Sequence, residues 1–190
     1  MRRAKLYYLI SLWAIGIFAN TTQANMVTAV NLTNSGIDFS VNDGGGPLMS
    51  PNSNASSSGG ACCAYMGSWS PNKTAIVKWE ADQDPYSSAK NPHKMWTDKW
   101  YDWMDEDRKK NVTYHKAEVM VPQYTRESAG NVIAIFLPCH QVMVVNTTKG
   151  YNDPTFPGKA VIQQRYREFV ALEKKNQCPP LQFPAKPKRY

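Results

Sequence analysis

Between residues 37 and 42 the chain alternates without a break: Ile37, Phe39 and Val41 on one side, Asp38, Ser40 and Asn42 on the other. A period of two sends successive side chains to opposite faces of an extended strand, so the apolar set needs a second layer to cover it. The pattern returns at Ala75, Val77 and Trp79 against Ile76, Lys78 and Glu80, and again at Ala117, Val119 and Val121. This repetition restricts the chain to strand-built layers. Residues 27–33 and 61–66 read as further strands. Residues 131–137 (NVIAIFL) are almost continuously apolar, which suits a central buried strand, and Pro138-Cys139-His140 turns the chain back along 141–146. Asn34-Ser35-Gly36 has turn chemistry and reads as a hairpin joining the first two strands. Residues 43–60 read as loop, with Gly44, Gly45 and Gly46 as a flexible stretch. Seven short strands at turn-punctuated spacing predict a mainly β protein, an antiparallel β-sandwich.

Two segments depart from this period. From Ala81 to Asn111 an insert carries Trp96, Trp100 and Trp103, spaced as one face of a helix. The plain expectation is that this face packs on the sheet. The sharper one is that it stands out as an anchor for a partner, since tryptophan is enriched at binding hot spots. From Ala160 to Asn176 a second helix places Ile162, Tyr166, Phe169 and Val170 on one face, and Cys178-Pro179-Pro180 ends it. The domain is therefore expected to span 25–176, with a Pro- and Lys-rich tail over 177–190.

The first 24 residues have the layout of an export signal. Arg2, Arg3 and Lys5 precede an apolar run from Leu6 to Ala19, and Thr22-Gln23-Ala24 places small residues before a cleavage at Asn25. The run is shorter than the roughly 20 residues of a membrane span. Export implies an oxidising compartment, so Cys62, Cys63, Cys139 and Cys178 are expected as disulfides. Three pairings are open. A bond between the neighbours Cys62 and Cys63 is uncommon, and bonds from that pair to Cys139 or Cys178 are sterically easier. A bridge from Cys178 would pin the C-terminal helix to the β core. Without Arg2, Arg3 and Lys5 the 22 basic residues fall to 19, against 15 acidic ones. That mild excess, with no basic stripe interleaved with aromatics, argues against nucleic-acid binding. With the leader cut and no lipid-bearing cysteine near it, no stable membrane insertion is expected. Asn31, Asn72, Asn111 and Asn146 open Asn-x-Ser/Thr triplets, glycan acceptors in a eukaryotic secreted protein and ordinary loop asparagines in a bacterium.

No catalytic pattern stands out. The three histidines, His93, His115 and His140, fall in no metalloprotease motif, and there is no nucleophile elbow, phosphate loop or zinc spacing. No catalytic residue, metal or cofactor is therefore expected. Cys139-His140 is the one nucleophile–base adjacency, and Cys139 is better read as half of a disulfide. A chain of this kind is expected to work by binding, with an envelope structural or adhesin-like module, or a Cys-His enzyme, as the alternatives.

Two stretches resemble the bacterial family called domain of unknown function 3304. The first, residues 58–80, carries Gly59, Gly60, the Cys62-Cys63 pair, the Trp69-x-Pro71 turn and Trp79. The second, residues 114–146, carries Val119, Val121, Pro122 and Tyr124, then Phe136, Leu137 and Pro138. Asn31-Leu32-Thr33 is similar to the family's opening. The resemblance implies a small exported protein of a Gram-negative bacterium. Many members are lipoproteins, and some are encoded beside type VI secretion spike proteins and lipase effectors and are regarded as immunity proteins in the periplasm. It thus implies a cognate secreted effector, lipase-type, as partner. This chain departs from the lipoprotein members in its leader, and it adds the tryptophan-rich insert and a helix ending near Cys178.

Overall fold

The computed structural model describes residues 25–54 and 61–181. The leader, residues 1–24, and the end of the tail, 182–190, lie outside the described residues.

Eight strands form two four-stranded sheets. They are β1 (Asn25–Asn31), β2 (Gly36–Val41), β3 (Gly44–Gly45), β4 (Ala61–Ala64), β5 (Thr74–Asp82), β6 (Val112–Met120), β7 (Asn131–Leu137) and β8 (Gln141–Thr147). The first sheet runs β4-β1-β7-β8 and the second β3-β2-β5-β6. The helices are α1 (Asp98–Asn111) and α2 (Lys159–Glu173). The sandwich is mixed: β1 and β7 pair in parallel, in register from Val27↔Val132 to Asn31↔Phe136, while the other pairings are antiparallel.

Three layers follow from the hydrophobic patterns. Phe39, Val77, Trp79, Val132, Ala134 and Phe136 fill the space between the sheets. On the other face of the first sheet, Val30, Ile133, Ile135, Leu137 and Val145 meet Phe156 and Ile162, with Tyr166 and Phe169 of α2 packed against them. Strand β7 is therefore covered on both faces, which is why its sequence is continuously apolar. Strand β5 has one wet face, and Ile76 on it is exposed while Ala75, Val77 and Trp79 are buried.

The expected hairpin of the first two strands does not form. β1 and β2 belong to different sheets. β1, buried residue after residue, fits the sheet covered on both sides, whereas β2, strictly alternating, fits the one that faces water. Asn31 carries the chain across. Its Nδ2 donates to the carbonyls of Ser35 (2.7 Å) and Ser50 (2.9 Å), and its Oδ1 accepts from the Thr33 amide (3.0 Å) and hydroxyl (2.7 Å). Asn31 is completely buried and Asn146 nearly so, which removes both from the possible glycan acceptors. Part of the loop expected over 43–60 forms paired structure, and residues 55–60 lie outside the described residues. Gly44–Gly45 pairs with β2 as an eighth strand, and Met49 bridges Ile37. A Cβ on Gly46 would lie 2.1 Å from the Phe39 ring, so the glycine there serves close packing and is not a flexible spacer.

Cys139 and Cys178 bond to each other, with Cα atoms 5.1 Å apart. Of the three open pairings this excludes the two sterically easier ones, which joined the Cys62-Cys63 pair to Cys139 and Cys178. β4 pairs with the N-terminal end of β1 (Asn25↔Ala64), whereas Cys139 follows the end of β7 that lies beside Asn31. Six residues of strand, about 20 Å, separate those levels, far beyond the reach of a disulfide. Cys63 is itself disulfide-bonded. The bridge from Cys178 does pin the end of α2 to the β core, at the β7–β8 turn. It also fastens the start of the tail, where Leu181 packs against the core between the sheets.

Candidate functional site

The motif residues behind the family resemblance build scaffold. Trp69 Nε1 donates to the Val121 carbonyl (3.1 Å), and the Tyr124 hydroxyl donates to Gly67 (2.8 Å) and Met66 (3.2 Å). The Trp-x-Pro turn is thus tied to the end of β6. Burial raises the Tyr124 phenol above its ordinary value, which keeps it a donor. Trp79 and Phe136 pack 5.8 Å apart between the sheets, with Phe39 5.1 Å from Phe136. Trp79, Phe136 and Tyr124 are buried and Trp69 is half-buried, so these four side chains serve packing; Gly59 and Gly60 of the motif lie outside the described residues.

The first candidate surface is the insert. It leaves the second sheet at Asp82 and returns at Val112, directly across from it. Gln83 N donates to Asn111 O (2.9 Å) at its base, and Arg108 pairs with Glu80. Thr97 caps α1 by accepting from Trp100 N, Asp98 lies in the first turn, and Arg108, Lys109 and Lys110 in the last, all favoured by the helix dipole. The helix buries none of its residues. The plain expectation that a tryptophan face packs on the sheet is therefore corrected, and so is the face itself. Trp96 precedes the helix, in the left-handed backbone region (φ 67°), and is 70% exposed. It lies 5.4 Å from Trp100 and 6.4 Å from Tyr101, which are 5.0 Å apart edge to face. Trp100 and Trp103 are half-buried. Tyr101, not Trp103, takes the third place in the ring cluster, because Trp96 approaches from the capping turn and not along the helix. Tyr86 and Met95, also exposed, belong to the same insert. Exposed aromatic side chains on a projecting insert make it the first candidate site.

The second is a cleft of about 370 Å³ at the end of the sandwich, which the sequence did not disclose. It ends on the core residues Ile37, Trp79 and Phe136, each at most 3% exposed. Its rim is polar: Asn34 from the crossover, Gln83 from the insert base, His140 from the β7–β8 turn and Glu173 from α2. Beside it, three rings stack in a column across the two sheets. His115 of β6 lies 5.2 Å from Trp79 and 4.1 Å from His140, nearly parallel to both. Thr113 Oγ1 is 2.8 Å from His115 Nε2. Loss of hydration, with the His140 charge adding to it, lowers the His115 pKa to about 4. Loss of hydration lowers His140 too, against the opposing pull of Glu173. Both rings are thus mostly neutral near pH 7. Cys139, whose sulfur is in the disulfide, lies under the cleft, and its amide donates to Glu173 Oε1 (3.3 Å). The sequence separates Asn34, His115, His140 and Glu173 by far too much for any motif. Among the described residues no cluster of three histidine, cysteine or carboxylate side chains is placed to hold a metal, and no helix is long and apolar enough to cross a membrane.

The fold and these two surfaces define a mixed β-sandwich with a disulfide-pinned helix and a projecting aromatic insert. Residues 30–144 match the family described as protein of unknown function (DUF3304), more than half of the chain, and the chain belongs to that family. No curated protein and no solved structure matches it.

Proposed function

We propose that this chain acts by binding another protein: exported to the periplasm, it is an immunity factor that caps a secreted antibacterial effector, lipase-type by the family resemblance. The observation that carries the binding reading is the Trp96–Trp100–Tyr101 cluster, held at the tip of an insert whose helix contributes nothing to the core. An exposed tryptophan on a disulfide-bonded scaffold has little conformational freedom to lose on association, and rigid aromatic anchors of this type dominate interface energetics. The site works through surface and shape, without a chemical step.

The direct test is co-purification of the full chain with the effector encoded beside it, followed by titration of Trp96→Ala. A loss of about 30-fold or more in affinity, the size of a hot-spot truncation, is the expected outcome, together with loss of protection in cells that express the effector. Unchanged protection by the variant removes the insert from the interface. Failure of the intact chain to bind or protect against any neighbouring effector removes the immunity reading itself.

A further inference from the structure

Strand β6 ends its sheet, and among the described residues no strand pairs with its other side. The strands at the sheet margins differ in how open they are. β3 has two residues and closes on β4, where a Cβ on Gly44 would lie 2.7 Å from the Cys63 carbonyl oxygen. β8 buries five of its seven residues, whereas β6 buries only Ala117 of its nine. β6 has no proline, no glycine and no bulge, and its register with β5 is unbroken from Thr74↔Met120 to Asp82↔Val112. A long, regular, exposed edge is a template for a further strand.

The hydrogen bonds at the two ends of that ladder fix which groups are open. Val121 N donates to Lys73 O and Gln83 N to Asn111 O, each at 2.9 Å. Hydrogen-bonded and non-hydrogen-bonded positions alternate along an antiparallel ladder. Thr113, His115, Ala117 and Val119 therefore bond β5, and Tyr114, Lys116, Glu118 and Met120 turn N–H and C=O to the open edge. Their side chains share the wet face of the sheet, with Tyr114 68% and Met120 51% exposed. This set is self-complementary. A second copy of β6, laid antiparallel about a two-fold axis at Ala117, sets Lys116 opposite Glu118 and Tyr114 opposite Met120, each twice, at hydrogen-bonding positions. Opposite charges meet, and a thioether meets an aromatic ring. Moving the axis by one residue sets Lys116 or Glu118 against its own copy.

We propose that two copies of this chain pair edge to edge through β6 in that register, joining their second sheets into one continuous sheet. The assignment rests on β6 and does not depend on the immunity reading, which rests on the insert.

The experiment is sedimentation equilibrium of the full oxidised chain, and a monomer–dimer equilibrium is expected. Lys116→Glu and Glu118→Lys should each weaken the dimer about tenfold, because either change turns both charge pairs into like-charge pairs. The double variant restores opposite charges and should return the wild-type dissociation constant. An equimolar mixture of the two single variants should also dimerise again, since glutamate then faces lysine at every such pair. That recovery cannot come from a variant that has lost its fold. A chain that stays monomeric, dissociation constants unmoved by the single changes, or no recovery in the double variant and the mixture would overturn the assignment. So would a dimer that Trp96→Ala dissolves and the β6 variants spare, which would place the contact on the insert.

Discussion

The two helices are almost equal in length, 14 residues in α1 and 15 in α2, and they are held in opposite ways. α2 sets Ile162, fully buried, against Ile133, Ile135 and Val145, and a covalent bond ties the chain just beyond its end to the β7–β8 turn. α1 buries nothing and is held by its cap, its base and the Arg108–Glu80 pair. A helix that closes a core is explained by that core. A helix with exposed aromatics and no core to close is not explained by packing, and the proposed binding role rests on it. If this contrast is right, perturbing α2 should change stability, and perturbing α1 should change association alone.

The largest effect is expected for the staple. Replacing Cys139 and Cys178 together by alanine opens a loop closed over a sequence separation of 39, and should lower unfolding free energy by about 4 kcal/mol on the chain-entropy account. Urea denaturation of the oxidised wild type and the double variant checks this. A loss below about 1 kcal/mol would mean that packing alone holds α2. Next, Ile162→Ala leaves a cavity between α2 and the first sheet and should lose about 2–4 kcal/mol in the same assay.

An intermediate effect is expected from acid. His115 is held near pKa 4, below its ordinary 6.5, so above pH 6.5 both folded and unfolded rings are neutral and full stability is present. As pH falls from 6.5 to about 4 the unfolded chain takes up the proton first, and stability drops. His140, lowered in the same sense, adds to the loss. After allowance for screening of a partly exposed ring, about 1 kcal/mol is expected between pH 7 and pH 4.5. His115→Gln should flatten that part of the stability curve, and an unchanged slope would show that the ring column plays no part in it. The smallest effect belongs to α1: Trp96→Ala and Tyr101→Ala should each alter unfolding free energy by no more than about 0.5 kcal/mol. A larger destabilisation would give α1 a structural role and dissolve the contrast.

Much of the second sheet was legible because its strands announce themselves. β2 and β5 alternate cleanly, and the alternation names the buried residues, Phe39, Val77 and Trp79 among them. β7, its hairpin with β8 and the α2 face were equally readable. The partnering of β1 was not. An apolar run says that a strand is buried but not beside whom, and the short 32–35 connection looks like a hairpin turn unless the Asn31 side chain is known to bind both Ser35 and Ser50. Trp96 was misplaced for a similar reason. Spacing put it on the helix with Trp100 and Trp103, whereas Thr97 starts the helix one residue too late for that. The capping threonine was a signal that could have corrected it.

The sequence by itself determined the local order: where the longer strands lie, which of their faces are apolar, that a tryptophan-rich segment interrupts them and that a helix follows. Those properties follow from side-chain period and turn chemistry, which act over a few residues. Only the tertiary structure decided that Cys139 bonds Cys178, that Trp96 stands outward ahead of its helix, and that Trp79, His115, His140 and Glu173 converge at one end of the sandwich. Those facts depend on which strands lie side by side, and strand neighbours are chosen by the fit of whole buried faces, a property that no short segment contains.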